Sequence, residues 1–369
     1  LFTARYWVDL AQEAERGLLD LVTIEDALNL QSDDHFEPDE RTDRVRGRLD
    51  AVLIAARVAP VTRHIGLLPT AIVTHTEPFH LSKAIATIDY VSGGRAGVRV
   101  QVASRADSAA HFGRRVFPPL SLDRLDDPEV QQAVAERFAE AGDYVEVLRR
   151  LWDSWEDDAE IRDASTGRFI DRNKLHYIDF EGQWFSVKGP SITPRPPQGQ
   201  PIVAALGHAS VPYQLIARSA DIGFVTPRDA GHAAEIVAEI RSEQQAAGRE
   251  HEPVRVFADL VVLLDDTEQA ARDRRERLDQ AAGSQPVSDA VFFAGTPAQL
   301  TDLLLDWQQA GLAGFRLRPA ALPHDLEQIT RALVPELQRR GVFRSAYEPA
   351  ATLRDRLGLA RPANRYSAV

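Results

Sequence analysis

The 369-residue chain contains no cysteine, which excludes disulfides, thiolate metal sites and cysteine nucleophiles. Methionine is absent too, even at position 1, and that leaves two readings: a truly methionine-free composition, or a written chain that omits residues. No stretch approaches the ~20 consecutive apolar residues of a membrane span, and no targeting segment is visible, so a cytoplasmic protein with no membrane partner is expected. Basic charge is not in excess. Lys and Arg number 43 against 55 Asp and Glu, a net charge of −12, and an acidic chain is a poor nucleic-acid scaffold because phosphate binding needs a basic face. Several chemical signatures are missing as well: no G-x-G-x-x-G or Walker-type loop, no H-E-x-x-H, no close histidine pair and no G-x-S-x-G. Dinucleotide binding, zinc hydrolysis and serine hydrolysis lose their usual supports.

What is present is a globular composition, 44 % apolar and 27 % charged, in a chain long enough to bury a large core. Residues 2–16 place Tyr6, Leu10 and Ala14 at helical spacing and stop at Gly17. The apolar run LLDLVTIED follows, the pattern of a strand buried on both faces. The alternation then recurs: helix 49–61, strand 64–73, helix 81–91, strand 95–102 and a long amphipathic helix over 128–152. Residues 153–200 form an insertion rich in Asp, Gly, Pro and aromatics. From Pro201 the strand-like runs PIVAAL, IGFVT, VRVFADLVVLL, AVFFAG and AGFRLRPA alternate with helical stretches near 211–219, 229–247, 267–281 and 297–310. Residues 335–369 read as a helical, then polar, tail. Strand–helix repetition without hairpin signals predicts parallel strands joined by right-handed crossovers. Seven or eight strands fit an α/β (β/α)8 TIM barrel better than a doubly wound sheet, as one domain over 1–369 with insertions near 29–48 and 153–200. Such a barrel opens with a strand whereas this chain opens with a helix, so the first strand is expected upstream of Leu1 or unrecorded.

Barrel active sites form at the carboxyl ends of the strands. That selects Glu25 and Asp26; then Thr70, Thr74 and His75; then Gln101, Ser104 and Arg105, with His111 in the loop; and finally Gly207, His208, Ala209 and Ser210. The last four open a helix, whose free N–H groups and positive dipole end suit a phosphate. Each position also has a plain structural role open to it. Asp26 suits a helix cap, Thr70 a strand, and His75, His111 and His208 a hydrogen-bonded or surface histidine. Thr296-Pro297 reads as an N-cap followed by Pro at the first helical position, with no chemistry.

The run from Gly66, GLLPTAIVTHTEPFHLSKAIATIDYVSGGRAG, resembles the flavin-dependent luciferase-like monooxygenases, in the branch that holds nitrilotriacetate, dibenzothiophene-sulfone and long-chain-alkane monooxygenases. Residues 177–203, 217–227 and 334–359 agree with it, so the resemblance extends over nearly the whole chain. It implies a bacterial-luciferase-like TIM barrel with a helical carboxyl tail, reduced FMN supplied by a separate flavin reductase, O₂ as co-substrate, a small organic substrate, and a homodimer or homotetramer. By the same resemblance the family's acidic residue falls on Asp26 and its flavin-contacting small residue near Thr70. The ring would lie by Asp26, Thr70 and Gln101, and the phosphate by Gly207, His208, Ala209 and Ser210. His75 or His111 would act as acid or base, since imidazole titrates near working pH.

The chain departs from the family at three places. Gly97–Ala103 replaces G-W-N-x-V-T-S, Val134 and Phe138 replace an H-x-x-x-Y pair, and Leu206–Ala209 replaces an A-G-S-S phosphate turn. These departures leave two alternatives open, a deazaflavin-dependent hydride-transfer enzyme and a non-catalytic flavin-binding protein.

Overall fold

The computed structural model describes residues 1–34, 37–103, 105–117, 124 and 126–367, so Ser104 lies outside the described residues. Its elements follow the expected alternation. Up to the insertion these are α1 (Ala4–Arg16), β1 (Leu21–Ile24), α2 (Ala51–Val58), β2 (Gly66–Ile72), α3 (Pro78–Ser92), β3 (Gly97–Gln101), α4 (Ala106–Ala110) and α5 (Pro128–Asp153). The insertion carries β4 (Glu160–Asp163), β5 (Arg168–Ile170), β6 (Phe180–Glu181) and β7 (Ser186–Val187). Then come β8 (Ile202–Gly207), α6 (Ser210–Ser219), β9 (Ile222–Val225), α7 (Ala230–Ala246), β10 (Arg255–Leu264) and α8 (Glu268–Ala282). The last are β11 (Val291–Gly295), α9 (Pro297–Gln308), β12 (Gly314–Pro319), α10 (His324–Gln328), α11 (Val334–Arg339) and α12 (Leu353–Arg356).

Helix ends obey local chemistry. Thr3 accepts from the Tyr6 N–H to start α1, and Gly17 closes it by donating to the Glu13 carbonyl. Thr296 and Gln299 form a reciprocal capping box ahead of Pro297, so this pair is the plain cap that its residues predict. Two expectations need correction. The insertion does contain hairpins, since β4 pairs antiparallel with β5 and β6 with β7. These strands are two to four residues long, too short to show alternation. In β1 only Ile24 is buried, so this strand is not covered on both faces.

By its contacts the chain divides into two compact units: Thr23–Val203 with the segment from Thr352 onward and Phe2, and Thr3–Val22 with Ala204–Ala351 and Leu1. In the first, β2 is buried along its whole length and pairs in parallel with β3, placing Thr70 opposite Arg99 and Ile72 opposite Gln101. The carboxyl-terminal segment is tied to the insertion by buried polar groups. Arg195, 2 % exposed in its side chain, donates to Asp153 at 3.0 Å, Asp157 at 2.8 Å and the Pro362 carbonyl at 2.8 Å. Asn364 Nδ2 donates to the carbonyls of Asp153 and Trp155, each at 2.8 Å. Asp89, fully buried, accepts from the Gln198 amide at 3.1 Å, Gln198 Nε2 at 2.6 Å and the Ala96 amide at 3.1 Å. Gln198 in turn accepts from the Arg354 amide at 3.0 Å.

In the second unit β8, β9 and β10 run parallel, with Gly207 opposite Val225 and Val225 opposite Ala258. Strand β10 takes three parallel partners: β9 beside Arg255–Ala258, β12 beside Phe257–Val262 and β11 beside Leu260–Leu264. Among the described residues no helix is long and apolar enough to cross a membrane.

Candidate functional site

In the first unit, three of the singled-out positions converge on one guanidinium. Arg99, on β3 and 2 % exposed, donates from Nε to Thr70 Oγ1 at 3.0 Å and from Nη2 to Gln101 Oε1 at 2.8 Å, and it is ion-paired with Glu25. Thr70 is fully buried, whereas the Glu25 side chain is 51 % exposed. A buried cation at the strand ends therefore has an acidic partner facing water. Sequence reasoning registered Arg99 only as a departure from the family pattern. The usable signal was a charge at the middle of the otherwise apolar run GVRVQ.

Asp26 takes a structural role. Its carboxylate accepts from the Ala27 N–H at 2.8 Å and from the Ala51 N–H at 2.9 Å, and Ala51 is the first residue of α2. Two carboxylates thus serve the start of α2, since Asp50 accepts from the Leu53 N–H at 2.8 Å. Burial pushes the Asp26 carboxyl up, against the lowering effect of those two backbone donors.

His75 is constrained both in its backbone and in its ring. Its backbone is left-handed, with φ 74°, a conformation that costs a non-glycine residue energy. Threonines on either side hold it there. Thr74 Oγ1 accepts from the Ala103 amide at 2.9 Å, while Thr76 Oγ1 donates to the Ile72 carbonyl at 2.8 Å and lies 3.0 Å from the Tyr144 hydroxyl. The imidazole is 5 % exposed as a residue and sits against Phe112 and Phe117, with ring centroids 5.3 and 5.2 Å away. The Arg137 guanidinium covers Phe117 at 4.0 Å. Burial first, then the charges of Arg115, Arg137 and Arg114, lower the His75 pKa to about 4. The ring is therefore neutral near pH 7 rather than titrating there, contrary to the sequence expectation for an acid–base imidazole. His111, by contrast, is exposed at the end of the five-residue α4.

In the second unit, Gly207 ends β8, and a Cβ there would sit 2.8 Å from Tyr213 Cδ1, so glycine permits the close packing of α6 on its own strand. Ala209 is the N-cap of α6 and makes no side-chain cap bond. His208, Ala209 and Ser210 are exposed. The start of α6 thus has no side-chain cap, and Pro212 in its first turn has no N–H to satisfy. His208 pairs through Nδ1 with Thr226 Oγ1 at 2.9 Å, and its Nε2 lies 3.6 Å from Asp289. Partial desolvation of its ring outweighs the nearby Asp289 charge and lowers its pKa. Beyond Asp289 the charges continue: Arg318 at 2.7 Å from Asp289, then the fully buried Asp259, which accepts from Arg316 Nε at 2.8 Å. Burial raises the Asp289 carboxyl, but Arg318 prevails and holds it below the usual range.

A phosphate is compatible with the exposed, uncapped α6 terminus, where Ser210 adds one hydroxyl. Among the described residues no group of three or more His, Asp or Glu side chains could hold a metal ion.

The family model for luciferase-like monooxygenases matches residues 2–284. The chain is similar to N-acetyl-S-(2-succino)cysteine monooxygenase of Bacillus subtilis (strain 168), at 30 % identity over 98 % of this chain and 91 % of the relative. It is similar to nitrilotriacetate monooxygenase component A of Aminobacter aminovorans, at 29 % identity over 98 % and 91 %. Among solved structures, long-chain alkane monooxygenase superposes with a TM-score of 0.82 at 24 % identity, covering 96 % of this chain and 88 % of that one. The α/β, TIM-barrel-like fold expected from the strand–helix alternation is thereby shown. The chain belongs to the luciferase-like monooxygenase family.

Proposed function

We propose that the chain is the oxygenating component of a two-component flavin-dependent monooxygenase, which uses reduced FMN and O₂ to oxygenate a small organic substrate. The observation that carries this reading is the match to monooxygenases over 98 % of the chain. Luciferase-like monooxygenases use reduced FMN, and a bound reduced flavin supplies the electrons that activate O₂. The protein's share is binding, orientation and exclusion of water. We assign Asp26, Thr70 and Gln101 to the ring, the last two as groups whose polar atoms Arg99 already orients. Gly207, His208, Ala209 and Ser210 are assigned to the phosphate, through the α6 amides and the Ser210 hydroxyl. His111, exposed, is the assigned proton-transfer group; His75, held neutral, is a hydrogen-bonding group instead. Within the same reading, a separate reductase delivers the reduced flavin in the cytoplasm, and the working form is a homodimer or homotetramer.

Anaerobic titration with reduced FMN, followed by admission of O₂ in the presence of a substrate panel, tests the proposal. Saturable binding and an O₂-dependent product are expected. Failure to bind reduced FMN, alongside clear binding of a reduced deazaflavin, overturns it.

A further inference from the structure

His75 combines two costs at one residue. Its backbone is left-handed, and its Nε2 is buried without a hydrogen-bond partner among the described residues. An unmet buried polar atom is costly, and the left-handed backbone adds to that. Such costs persist where the surroundings over-determine a side chain for a ligand. Here the over-determination is visible, because the anchored hydroxyls of Thr74 and Thr76 fix the backbone on both sides. Phe112 and Phe117 fix the ring.

The surroundings bear on the kind of ligand that such a group would take. The charged groups facing the imidazole are Arg114, Arg115 and Arg137. Arg114 is ion-paired with Glu77, and Arg115 holds Glu140 through both carboxylate oxygens at 2.8 Å each. A neutral imidazole in a field of guanidinium groups is best used as an N–H donor to an oxyanion, in its Nε2–H tautomer, since a cationic ligand meets repulsion there. The ring itself is buried, with Phe112 and Phe117 packed against it. In residues 111–117 the side chains of Phe112, Arg115 and Phe117 are half-buried, the other positions are exposed, and Val116 is 96 % exposed. Two aromatic faces beside one oxyanion donor suit an amphipathic molecule.

We propose that His75 is the hydrogen-bond donor of a carboxylate subsite. The small organic substrate of the monooxygenase reading, on which this assignment rests, then carries a carboxylate beside an apolar portion. His75 Nε2–H donates to a carboxylate oxygen, Arg115 and Arg137 supply the field, and Phe112 and Phe117 line the apolar side.

The test is calorimetric titration of the whole chain at pH 7.5 with 3-phenylpropanoate and with its neutral isostere 3-phenylpropanamide. Saturable binding of the acid is expected, with the amide at least tenfold weaker. His75→Gly relieves the left-handed backbone, which offsets part of the packing lost against Phe112 and Phe117. With its fold checked by circular dichroism, it is expected to lose acid affinity at least tenfold and to leave the amide unchanged. His75→Asn, which tolerates the backbone and retains an N–H donor, falls between. No saturable binding of the acid, equal binding of acid and amide, or full acid affinity in His75→Gly each overturns the subsite. A parallel anaerobic titration with reduced FMN separates the two claims. Reduced FMN bound without acid–amide discrimination removes the subsite alone; discrimination without reduced-FMN binding removes the monooxygenase reading and leaves an anion site.

Discussion

Arg99 on β3 reaches across to donate to Thr70 Oγ1 on β2 at 3.0 Å, directly across the register that places those two residues opposite each other. The same guanidinium is paired with the half-exposed Glu25. Glu25→Gln removes the half-exposed negative charge but keeps an acceptor oxygen for the guanidinium, whereas Arg99→Met takes the donor from the fully buried Thr70 Oγ1 and from Gln101 Oε1. Arg99→Met is therefore expected to be the more damaging change, by about 1–3 kcal/mol, the scale of a buried polar group left unmet. Urea unfolding of both variants checks the order.

Asp26 serves the start of α2 whether or not it meets a flavin. Asp26→Ala is expected to lose about 0.5–2 kcal/mol of stability, the usual scale for a lost cap, and Asp26→Asn, which keeps an acceptor oxygen, much less. If the carboxylate also holds the flavin ring, reduced-FMN affinity falls in both variants. An affinity that follows stability alone removes Asp26 from the ring assignment.

Gly207→Ala drives a Cβ to within 2.8 Å of the Tyr213 ring, so that ring or α6 must shift. A loss of about 1–3 kcal/mol is expected, as for other overpacked interiors. Thermal unfolding reads the stability, and an FMN titration reads whether the α6 terminus has moved.

Burial pushes the Asp89 carboxyl up to about 6. Because the folded value lies above the ordinary 3.8, the native state holds this proton more tightly than the unfolded chain. The contribution is fully present below pH 4 and is lost as pH rises through 6. Relative to Asp89→Asn, which cannot titrate, the wild-type chain is expected to lose stability between pH 4 and pH 7, on the order of 2–3 kcal/mol. Urea midpoints of the two proteins at both pH values test this; parallel pH profiles refute it.

Asp289 places negative charge 3.6 Å from Nε2 of His208, one of the residues assigned to the phosphate. Asp289→Asn is expected to tighten reduced FMN several-fold and to leave riboflavin, which has no phosphate, unchanged. Equal effects on both flavins would detach His208 from the phosphate.

Much of the fold is legible because parallel strands and amphipathic helices impose different periods, and runs such as VRVFADLVVLL are long enough to show theirs. The hairpins of the insertion are not legible, because a pair such as Phe180–Glu181 and Ser186–Val187 has no period to display. The candidate site shows the same division. Strand-end logic found Asp26, Thr70, His75 and Gln101. It did not find that one arginine orients Thr70 and Gln101, that Asp26 caps a helix 25 positions away, or that Phe117 and Arg137 enclose His75. Those relations join positions up to 62 apart in the chain, and nothing local to His75 signals the charges that keep it neutral.

The bonds from Asn364 to the carbonyls of Asp153 and Trp155 bridge 211 and 209 positions of chain. Those two bonds stay unmade until residue 364 has been synthesised, long after the carbonyls that accept them. Arg195 can meet Asp153 and Asp157 as soon as it is made, but its bond to the Pro362 carbonyl has to wait. Cutting the chain shortly before Pro362 would therefore strip partners from the insertion, so that the damage falls well inside the chain and not only at the cut.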